Sequence, residues 1–301
     1  MKVPMRVERE KIQIPSGHSF RVLRWARTLK DVECVVAPGK VEPLTGEGTR
    51  WHFHTEMELT LFTAGKGSRF VGDHIGFFEA GDLVLLGSKL PHYWHTRGSS
   101  AGISLQWHFP EGHPFWAFPE MLPLRTLFDQ SGRGLRLCGQ TAARISAVMQ
   151  TMISARGVEQ LSLLLSILAM ITAAPPTERG FLSVRSFALA AESHYQQAIS
   201  KALRHLIAHF REPVRLEDVL LLTGLSRPTF ARQFKKHSGK TLSEFLNHLR
   251  LQAACRELVE SQRSVLDIAL GCGFTQVSFF NRLFRRLQKC SPSGYRAKFV
   301  P

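Results

Sequence analysis

The chain has 301 residues, of which 44% are hydrophobic, and this length and composition fit a globular protein of two domains with ordinary cores. The 39 Lys and Arg residues outnumber the 24 Asp and Glu residues, and the net charge of +15 favours an acidic partner such as nucleic acid. The five cysteines are scattered and form no CxxC pair, which argues against a disulfide framework and against a zinc finger.

The first 15 residues carry several Lys, Arg and Glu side chains and no apolar segment, unlike a signal peptide. The longest apolar run of the chain, about 14 residues that include Ser162 and Ser166, is too short to span a membrane. We therefore expect a cytoplasmic protein that does not contact a membrane.

Side chains that bind metals lie close together in the first hundred residues. His52 and His54 alternate along a predicted strand, so their side chains share one face, and Glu58 follows a few positions later. His92, from a later strand, completes a set of three imidazoles and one carboxylate that suits Zn, Mn, Fe or Ni. A divalent metal is therefore one interpretation. A hydrogen-bonding cluster in a ligand pocket and an inert scaffold are the alternatives.

The spacing around these residues resembles the cupin family. The first cupin motif is matched by Gly46, His52, His54, Glu58 and Gly65, and the second by Gly81, Asp82 and His92. In the second motif Gly87 stands in place of the usual proline, and Thr96 stands in place of the final asparagine. The resemblance implies a β-barrel sensor domain that can work without a metal.

Short apolar runs at 59–63, 69–71 and 83–86 are separated by glycine-rich turns, a pattern that predicts an antiparallel barrel or sandwich. Trp51 and Trp94 lie beside the histidines in the sequence. They are candidates either for stacking on a bound molecule such as a sugar or for ordinary core packing.

A helical stretch is predicted from about Gln140 to Ala173, with Leu161, Leu164, Leu165 and Leu168 at helical spacing. We expect it to pack against the barrel or to pair with a second subunit in a homodimer. Pro175 and Pro176 then end the helix and begin a linker, and a further helix follows at about 195–210.

One basic amphipathic segment occurs twice in the last third of the chain. The sequence FARQFKK at 230–236 is repeated as FNRLFRR at 280–286, and in each copy two phenylalanines four residues apart share one helical face. An apolar run, a glycine and a Ser or Thr cap precede each copy, with Gly224 and Ser226 in the first and Gly273 and Thr275 in the second. The pattern predicts two helix-turn-helix units, and the alternative is a pair of basic surface helices in an all-α domain.

Positive charge is concentrated around this repeat. From Gln196 onward there are 18 Lys and Arg residues against 7 Asp and Glu residues, a balance of +11. Neutralising phosphates and releasing counterions supplies most non-specific affinity for DNA, so this distribution favours a DNA-binding surface.

Three ordered segments near the C-terminus carry a family resemblance. VLDIALGCGF at 265–274 is followed by SFFNRLFRR at 278–286 and by SPSGYR at 291–296. These segments resemble the DNA-binding domain of AraC/XylS-type bacterial transcription regulators. The resemblance implies two helix-turn-helix units joined by a long helix at about 242–261, with recognition helices in successive major grooves of promoter DNA. It also implies RNA polymerase as a partner.

The chain departs from the family pattern at two positions. Leu220 stands where a small residue is usual on the first helix, and Lys289 stands where a glycine is expected after the second recognition helix. Neither change places a charge in a core, so we expect altered packing and a changed turn with the same fold.

By this resemblance the recognition helices contact DNA through two sets of residues. The first set is Arg227, Pro228, Ala231, Arg232, Lys235 and Lys236, and the second is Gln276, Val277, Ser278, Asn281, Arg282, Arg285 and Arg286. Pro228 and Ala231 lack side-chain donors, so they are limited to thymine methyl groups or DNA shape, whereas Arg232 can bind guanine bidentately. Asn281 suits adenine, and Arg285 is assigned to phosphate.

The sequence therefore predicts a two-domain α+β protein: a cupin-like antiparallel β-barrel with flanking helices at 1–175, a linker at 176–195 and a double helix-turn-helix domain at 196–301. The predicted function is effector-controlled transcription regulation, with His52, His54, Glu58, His92, Trp51 and Trp94 as candidate effector-binding residues. One rival is a metal-dependent cupin enzyme fused to a DNA-binding module, which is disfavoured because no acid/base pair is recognisable around the histidines. The other rival is a constitutive DNA-binding protein whose barrel only dimerises.

Overall fold

The computed structural model describes residues 12–44, 51–96, 98–187 and 195–299, and it divides the chain into two compact units, 1–193 and 194–301. Eleven strands and three α-helices of the described residues belong to the first unit, and seven α-helices belong to the second. Gly46 of the first cupin motif and the last part of the predicted linker, 188–194, lie outside the described residues. None of the described helices is both long and apolar enough to cross a membrane.

The strands of the first unit form two antiparallel sheets. The larger sheet has the order β11-β10-β7-β4-β9-β1-β2-β3, and the smaller has the order β6-β5-β8. The strands are β1 (Phe20–Trp25), β2 (Glu33–Ala37), β3 (Lys40–Pro43), β4 (Met57–Ala64), β5 (Gly67–Val71), β6 (His74–Phe78), β7 (Leu83–Leu86), β8 (His92–Thr96), β9 (Ala101–Trp107), β10 (Leu135–Leu137) and β11 (Arg179–Phe181).

The predicted closed barrel is wrong for the described residues, although the predicted antiparallel pairing is confirmed. The larger sheet ends at the edge strands β3 and β11, and β5 pairs with β6 and β8 and with no strand of the larger sheet. An isolated β-bridge pairs His52, which lies before β4 and outside the named strands, with His92 of β8 in the smaller sheet. Closure would require a continuous ladder around the whole set of strands.

Alternation along β4 separates the two faces of the larger sheet. Leu59 and Leu61 belong to a core shared with the helices, whereas Phe62 belongs to a core shared with the smaller sheet. Since successive side chains of a strand point to opposite faces, Glu58 and Thr60 lie on the same face as Phe62. This alternation places polar side chains between the two sheets.

Three helices cover the other face: α1 (Leu122–Gln130), α2 (Gly139–Met152) and α3 (Gly157–Thr172). The single helical stretch predicted for 140–173 is therefore two helices. The break occurs because Arg156 is extended (φ −149°, ψ 157°) and Gly157 has a left-handed φ of +55°. Ile145 and Leu164 are fully buried in this layer, and each contributes about 1.5–3 kcal/mol relative to exposure.

The first part of the predicted linker packs on the N-terminal unit. β11 pairs with β10, and the backbone N–H of Phe187 donates to the carbonyl of Gly132 at 3.0 Å. The Phe187 side chain is 5% exposed. Residues 176–187 therefore belong to the folded unit rather than to a free linker.

The second unit contains two helix pairs on either side of a long helix. Its helices are α4 (Gln196–His209), α5 (Leu216–Thr223), α6 (Arg227–Ser238), α7 (Leu242–Glu260), α8 (Val265–Gly271), α9 (Val277–Gln288) and α10 (Pro292–Phe299). The turns of the pairs α5–α6 and α8–α9 contain Gly224 (φ +67°) and Gly273 (φ +88°), the two glycines that the sequence singles out. The long helix α7 begins with a capping box between Thr241 and Glu244.

The helices α6 and α9 end in the same left-handed conformation but with different residues. Gly239 follows α6 with a φ of +73°, and Lys289 follows α9 with a φ of +58°. Lys289 therefore adopts the left-handed conformation that glycine adopts at the end of α6. A non-glycine residue in this conformation costs about 1–2 kcal/mol. Leu220, the other departure from the family pattern, is half-buried on α5.

We expect Lys289→Gly to raise the free energy of unfolding of the C-terminal unit by about 0.5–1 kcal/mol. Glycine relieves the left-handed strain, and its greater freedom in the unfolded chain offsets part of that gain. Urea unfolding followed by far-UV circular dichroism measures the change. All five Trp lie between residues 25 and 116, so tryptophan fluorescence should report no change in the N-terminal unit. The reciprocal variant Gly239→Ala should destabilise, and an unchanged or lower stability of Lys289→Gly contradicts the explanation.

Candidate functional site

The helix α6 buries an aromatic face and exposes a basic one. Phe230 and Phe234 are 2% and 0% exposed, and their ring centroids lie 5.3 Å apart. Phe234 also packs edge-on against Phe245 of α7, with ring centroids 5.6 Å apart. The predicted contact residues Arg227, Pro228, Ala231, Arg232, Lys235 and Lys236 are all exposed.

The helix α9 repeats this arrangement. Phe280 and Phe284 are fully buried with ring centroids 5.5 Å apart, and Phe284 packs against Tyr295 of α10. The guanidinium of Arg282 lies over the ring of Phe279, 5.7 Å from its centroid. Of the predicted contact residues, Gln276, Ser278, Arg282, Arg285 and Arg286 are exposed, and Val277 and Asn281 are half-buried.

Several arginines of this unit bond to its own backbone. Arg250 Nε donates to the carbonyl of Phe210 at 2.7 Å, and Arg296 Nε donates to the carbonyl of Leu258 at 3.1 Å. Arg263 Nη2 donates to the carbonyl of Asp267 at 3.0 Å. The balance of +11 therefore exceeds the charge that faces a partner, a distinction that a count of residues does not make.

The three predicted histidines lie together in the N-terminal unit. His52, His54 and His92 are buried, and one ring nitrogen from each lies within 4.8 Å of the other two. The rings of the bridged pair His52 and His92 have centroids 4.2 Å apart. Glu58 Oε2 lies 3.0 Å from Nε2 of His54 and 3.7 Å from Nε2 of His92. We call these four residues the histidine cluster.

Backbone carbonyls fix the protons of two histidines. Nδ1 of His54 lies 3.0 Å from the carbonyl oxygen of Glu56, and Nδ1 of His92 lies 2.8 Å from that of Leu90. A carbonyl oxygen only accepts, so each Nδ1 carries a proton. One further proton lies between Nε2 of His54 and Glu58 Oε2. Nε2 of His92 is then a bare lone pair, buried and without a hydrogen-bond partner in the described part of the chain.

The strand register surrounds Glu58 with donors. Gln106 of β9 is its cross-strand partner, and Nε2 of Gln106 donates to Glu58 Oε2 at 2.7 Å. The hydroxyl of Thr60 donates to the other carboxylate oxygen, and Arg21 Nε donates to Oε1 of Gln106 at 2.6 Å. Burial alone would raise the pKa of Glu58. The neighbouring imidazoles of His54 and His92 outweigh burial and hold this pKa well below its usual value.

A small cavity of about 40 Å³, partly open to solvent, adjoins the histidine cluster. It is lined by Leu23, Trp25, Leu29, Val32, His52, Glu58, Thr60, Phe62, Trp94, Ser104 and Gln106. Of the predicted effector-binding residues, His52, Glu58 and Trp94 line this cavity, whereas His54, His92 and Trp51 do not. Trp51 packs edge-on against Phe70, with ring centroids 6.3 Å apart. The cavity is also lined by residues that were not predicted: Trp25, Thr60, Phe62, Ser104 and Gln106. The alternation along β1, β4 and β9 indicates them once the buried face of each strand is known.

The histidine cluster has the donors that a divalent cation requires. Metal–nitrogen bonds of about 2.1 Å in a tetrahedral site place the ligand nitrogens about 3.4 Å apart, so nitrogens separated by up to 4.8 Å must approach one another by about 1.4 Å when an ion binds. Donation from Nδ1 of His54 and His92 to backbone carbonyls is the outer contact that orients metal-binding histidines. With the bare Nε2 of His92, these residues fit a cation that displaces the proton between His54 and Glu58.

Comparison with known proteins supports an assignment for the C-terminal unit. Residues 220–298 match the family model described as a helix-turn-helix domain. The chain is 43% identical over 98 residues to the HTH-type transcriptional activator RhaS of Escherichia fergusonii, covering 31% of this chain and 35% of that protein. It is 35% identical over 102 residues to the regulatory protein PocR of Salmonella typhimurium, covering 34% of each protein. The chain thus matches about a third of the length of these relatives.

Among solved structures, the chain is similar to the DNA-binding domain of AdpA, a global transcriptional factor, in complex with a target DNA. The two are 29% identical, the match covers 34% of this chain and 92% of the other, and the TM-score is 0.33.

We expect the N-terminal unit to lose about 2 kcal/mol of stability between pH 7 and pH 5. Burial, together with the neighbouring His52, lowers the pKa of His92 to about 4. An unfolded histidine protonates near pH 6.5, so between about pH 6.5 and 4 the unfolded state binds more protons than the folded state. The stability therefore decreases as the pH is lowered through this range. The depressed pKa of Glu58 acts below this window, because its contribution is lost only as pH falls through its folded pKa.

Urea unfolding followed by tryptophan fluorescence, with a chelator present, measures this dependence. The control His92→Gln removes the titrating group and should flatten the slope between pH 7 and pH 5. An equally steep slope in that variant would assign the pH dependence to other groups.

Proposed function

We propose that this chain, whose C-terminal unit is a helix-turn-helix domain of the AraC/XylS type, is a transcription regulator that binds promoter DNA and responds to a small effector. In this proposal both helix pairs are helix-turn-helix units, and α6 and α9 are the recognition helices that enter successive major grooves. The cupin-like N-terminal unit binds the effector. RNA polymerase is the further partner that this role implies.

The observation that carries the proposal is the repeated exposure of a basic face opposite a buried phenylalanine pair. In α6 and in α9 the phenylalanines point inward, so the arginines and lysines between and beyond them are available to a groove. The match of 220–298 to a helix-turn-helix domain supports the same role for this surface.

The two helices offer different chemistry to the bases. On α6, Arg232 is the donor suited to guanine, and its neighbours Pro228 and Ala231 are suited to thymine methyl groups or DNA shape. On α9, Asn281 is suited to adenine but is half-buried, and Arg282 stacks on Phe279. We assign Lys235, Lys236, Arg285 and Arg286, at the ends of the two helices, to phosphates, and Arg227, Gln276, Val277 and Ser278 to the beginnings of the helices near the groove.

The cavity beside the histidine cluster supports binding of a small uncharged effector, a class that includes sugars. No Lys or Arg lines this cavity in the described part of the chain, and Glu58 keeps its low pKa there. An anionic molecule would therefore meet an unfavourable site. Trp25, Phe62 and Trp94 offer apolar surface opposite the polar side chains of Thr60 and Gln106.

A divalent cation is the second candidate for the ligand of the N-terminal unit. The bare, buried Nε2 of His92 favours it, because an unpaired buried acceptor is costly and a cation satisfies it. His52, His54 and His92 would hold the ion with Glu58 as the carboxylate ligand, and a bound cation would supply positive charge beside the cavity that His52 and Glu58 line.

We further propose that the chain forms a homodimer through α3. Val158 and Leu161 on this helix are 84% and 38% exposed, and Leu165 on the same side is half-buried. An apolar stripe of this kind is typical of a helix that pairs with a second copy.

The DNA-binding proposal is tested by selecting duplexes from a random pool with the full chain. We expect a defined site whose affinity falls by about 10³ to 10⁵ between 50 and 200 mM salt, because about six to ten phosphates are neutralised. Arg232→Ala should cost about 1–3 kcal/mol on that site and relax the preference at one base pair. Arg285→Ala should weaken cognate and scrambled DNA alike and reduce the salt slope by about one.

Two outcomes contradict the assignment. Failure to select any duplex rejects the DNA-binding function. If Arg232→Ala weakens all duplexes equally while Arg285→Ala changes base preference, the orientation of the two helices on DNA is wrong.

The sensor proposal is tested with the double variant His52→Ala/His92→Ala. We expect it to lose the response of DNA affinity to the effector while its affinity without effector stays unchanged, because both residues lie in the N-terminal unit. Metal analysis after exchange into Zn²⁺, Mn²⁺, Fe²⁺ or Ni²⁺ distinguishes the two ligands. About one ion per chain in the parent and none in the variant supports the cation. If the variant folds and responds normally to the effector, the histidine cluster has only a structural role.

A further inference from the structure

The two helix pairs of the C-terminal unit are parts of two larger groups that meet at one junction. We call α4, α5 and α6 the first helix group, and α8, α9 and α10 the second helix group. The long helix α7 connects them in sequence. The segment that follows α4, at 210–212, also bonds to α7 and to the last residue of α8 in the second group. The two groups are thus joined by contacts as well as by the chain.

Glu257 of α7 lies at the centre of this junction. Its Oε1 accepts from Nη2 of Arg211, which follows α4, at 2.8 Å, and its Oε2 accepts from Nη1 of Arg263, which precedes α8, at 2.8 Å. Arg211 Nη1 also donates to the carbonyl of Gly271, the last residue of α8, at 2.7 Å. One carboxylate therefore holds cations from both helix groups through charge-assisted hydrogen bonds.

The backbone at the junction is packed too closely for a side chain. A Cβ placed on Gly273, in the turn between α8 and α9, would lie 2.8 Å from the carbonyl oxygen of Arg211 and 2.9 Å from that of Phe210. Arg250 of α7 donates from Nε to the carbonyl of Phe210 and from Nη2 to that of Glu212, at 2.7 and 3.0 Å. The segment that follows α4 therefore lies directly against the turn that leads into α9.

We propose that the Arg211–Glu257 ion pair sets the spacing between the two recognition helices and thereby selects DNA sites by the separation of their two contact segments. This inference rests on the proposed DNA-binding function. Two linked modules gain affinity from each other only when their geometry matches the separation of their sites, about one helical turn of DNA for adjacent grooves. A junction that fixes the two groups makes the match strict, and a loose junction relaxes it.

The Glu257 side chain is 20% exposed and that of Arg211 is 37% exposed, so salt and water screen the pair only in part. Its role is positioning, because neither residue is assigned to DNA. Packing of Phe234 on Phe245 and the hydrogen bonds of Arg250 and Arg296 also hold the two groups on α7. Arg211 differs from these residues because it bonds both to Glu257 of α7 and to Gly271 of α8, and so links the first group directly to the second.

The test uses the full chain and the duplex that it selects from a random pool. Affinity is measured for this duplex, for versions with one or two base pairs inserted between the contact segments, and for a version with one segment scrambled. In the parent the insertions should lower affinity strongly. In Glu257→Ala and in Arg211→Ala the ratio of native-spacing to inserted-spacing affinity should fall by about 10-fold, while affinity for the single segment shifts only with net charge.

The two variants change net charge in opposite directions, so general electrostatic attraction to DNA moves their affinities oppositely while the spacing ratio moves in one direction. Glu260→Ala, on the same helix, is the matched control for loss of a carboxylate and should keep the parental ratio. Glu257→Gln preserves side-chain size and gives a folded variant if the alanine replacement unfolds, as judged by circular dichroism.

Folded Glu257 and Arg211 variants that keep the parental ratio would overturn the proposal. If duplexes are selected but contain a single contact segment, the junction has no spacing to set and the proposal fails while DNA binding stands. If no duplex is selected, the proposed function fails and this inference falls with it.

Discussion

Two buried phenylalanine pairs determine what the C-terminal unit can present to a partner. Phe230 and Phe234 fix the rotation of α6 about its axis, and Phe280 and Phe284 fix that of α9. Once one face of a helix is anchored, the 3.6-residue period assigns every other side chain to a direction. Truncating a buried phenylalanine costs about 3–5 kcal/mol, a large part of a typical stability of about 5–15 kcal/mol. The basic surface therefore depends on aromatic packing that DNA would never touch.

The cations of this unit form two sets, one bonded within the unit and one exposed to solvent. Arg250 and Arg296 satisfy backbone carbonyls inside the unit, and Arg211 and Arg263 share the carboxylate of Glu257. These bonds hold helices together at short range and respond weakly to salt, because partly buried charges are screened less than exposed ones. In the proposed DNA complex, counterion release would act on the exposed cations of α6 and α9. High salt is therefore expected to weaken DNA binding well before it loosens the helical framework.

Local patterns predicted several of the helices and strands, because these elements depend on neighbours in sequence. The phenylalanine repeat located α6 and α9, and the apolar runs located β4, β5 and β7. The grouping of His52 with His54 is confirmed, but the strand predicted for them is wrong, because both residues lie before β4 and outside the named strands. Long-range pairing was not predictable in this way. The strand β11 lies in the predicted linker. It joins the edge of the sheet by pairing with β10, which is more than forty residues earlier in sequence.

The candidate sites show the same division. His52, His54, Glu58 and His92 could be grouped from motif spacing, whereas Gln106 reaches Glu58 only through the register of β4 with β9. The internal role of Arg211 and Arg263 depends on the three-dimensional position of Glu257. A count of charges does not distinguish Arg211 and Arg263 from the exposed Arg232. Their hydrogen bonds to Glu257 make the distinction.

Hydrogen bonds already engage Glu58 and His54 of the histidine cluster, and this restricts how the cluster can act as a sensor. Glu58 accepts from Gln106 and Thr60 and shares a proton with His54, so a ligand that engages the carboxylate must replace existing bonds rather than fill empty ones. The unpaired Nε2 of His92 is the exception. A cation that bound there would release the shared proton, so its affinity would rise with pH. A neutral effector in the adjoining cavity would leave that proton in place. The pH dependence of binding therefore separates the two kinds of ligand on physical grounds, independently of any change in DNA affinity.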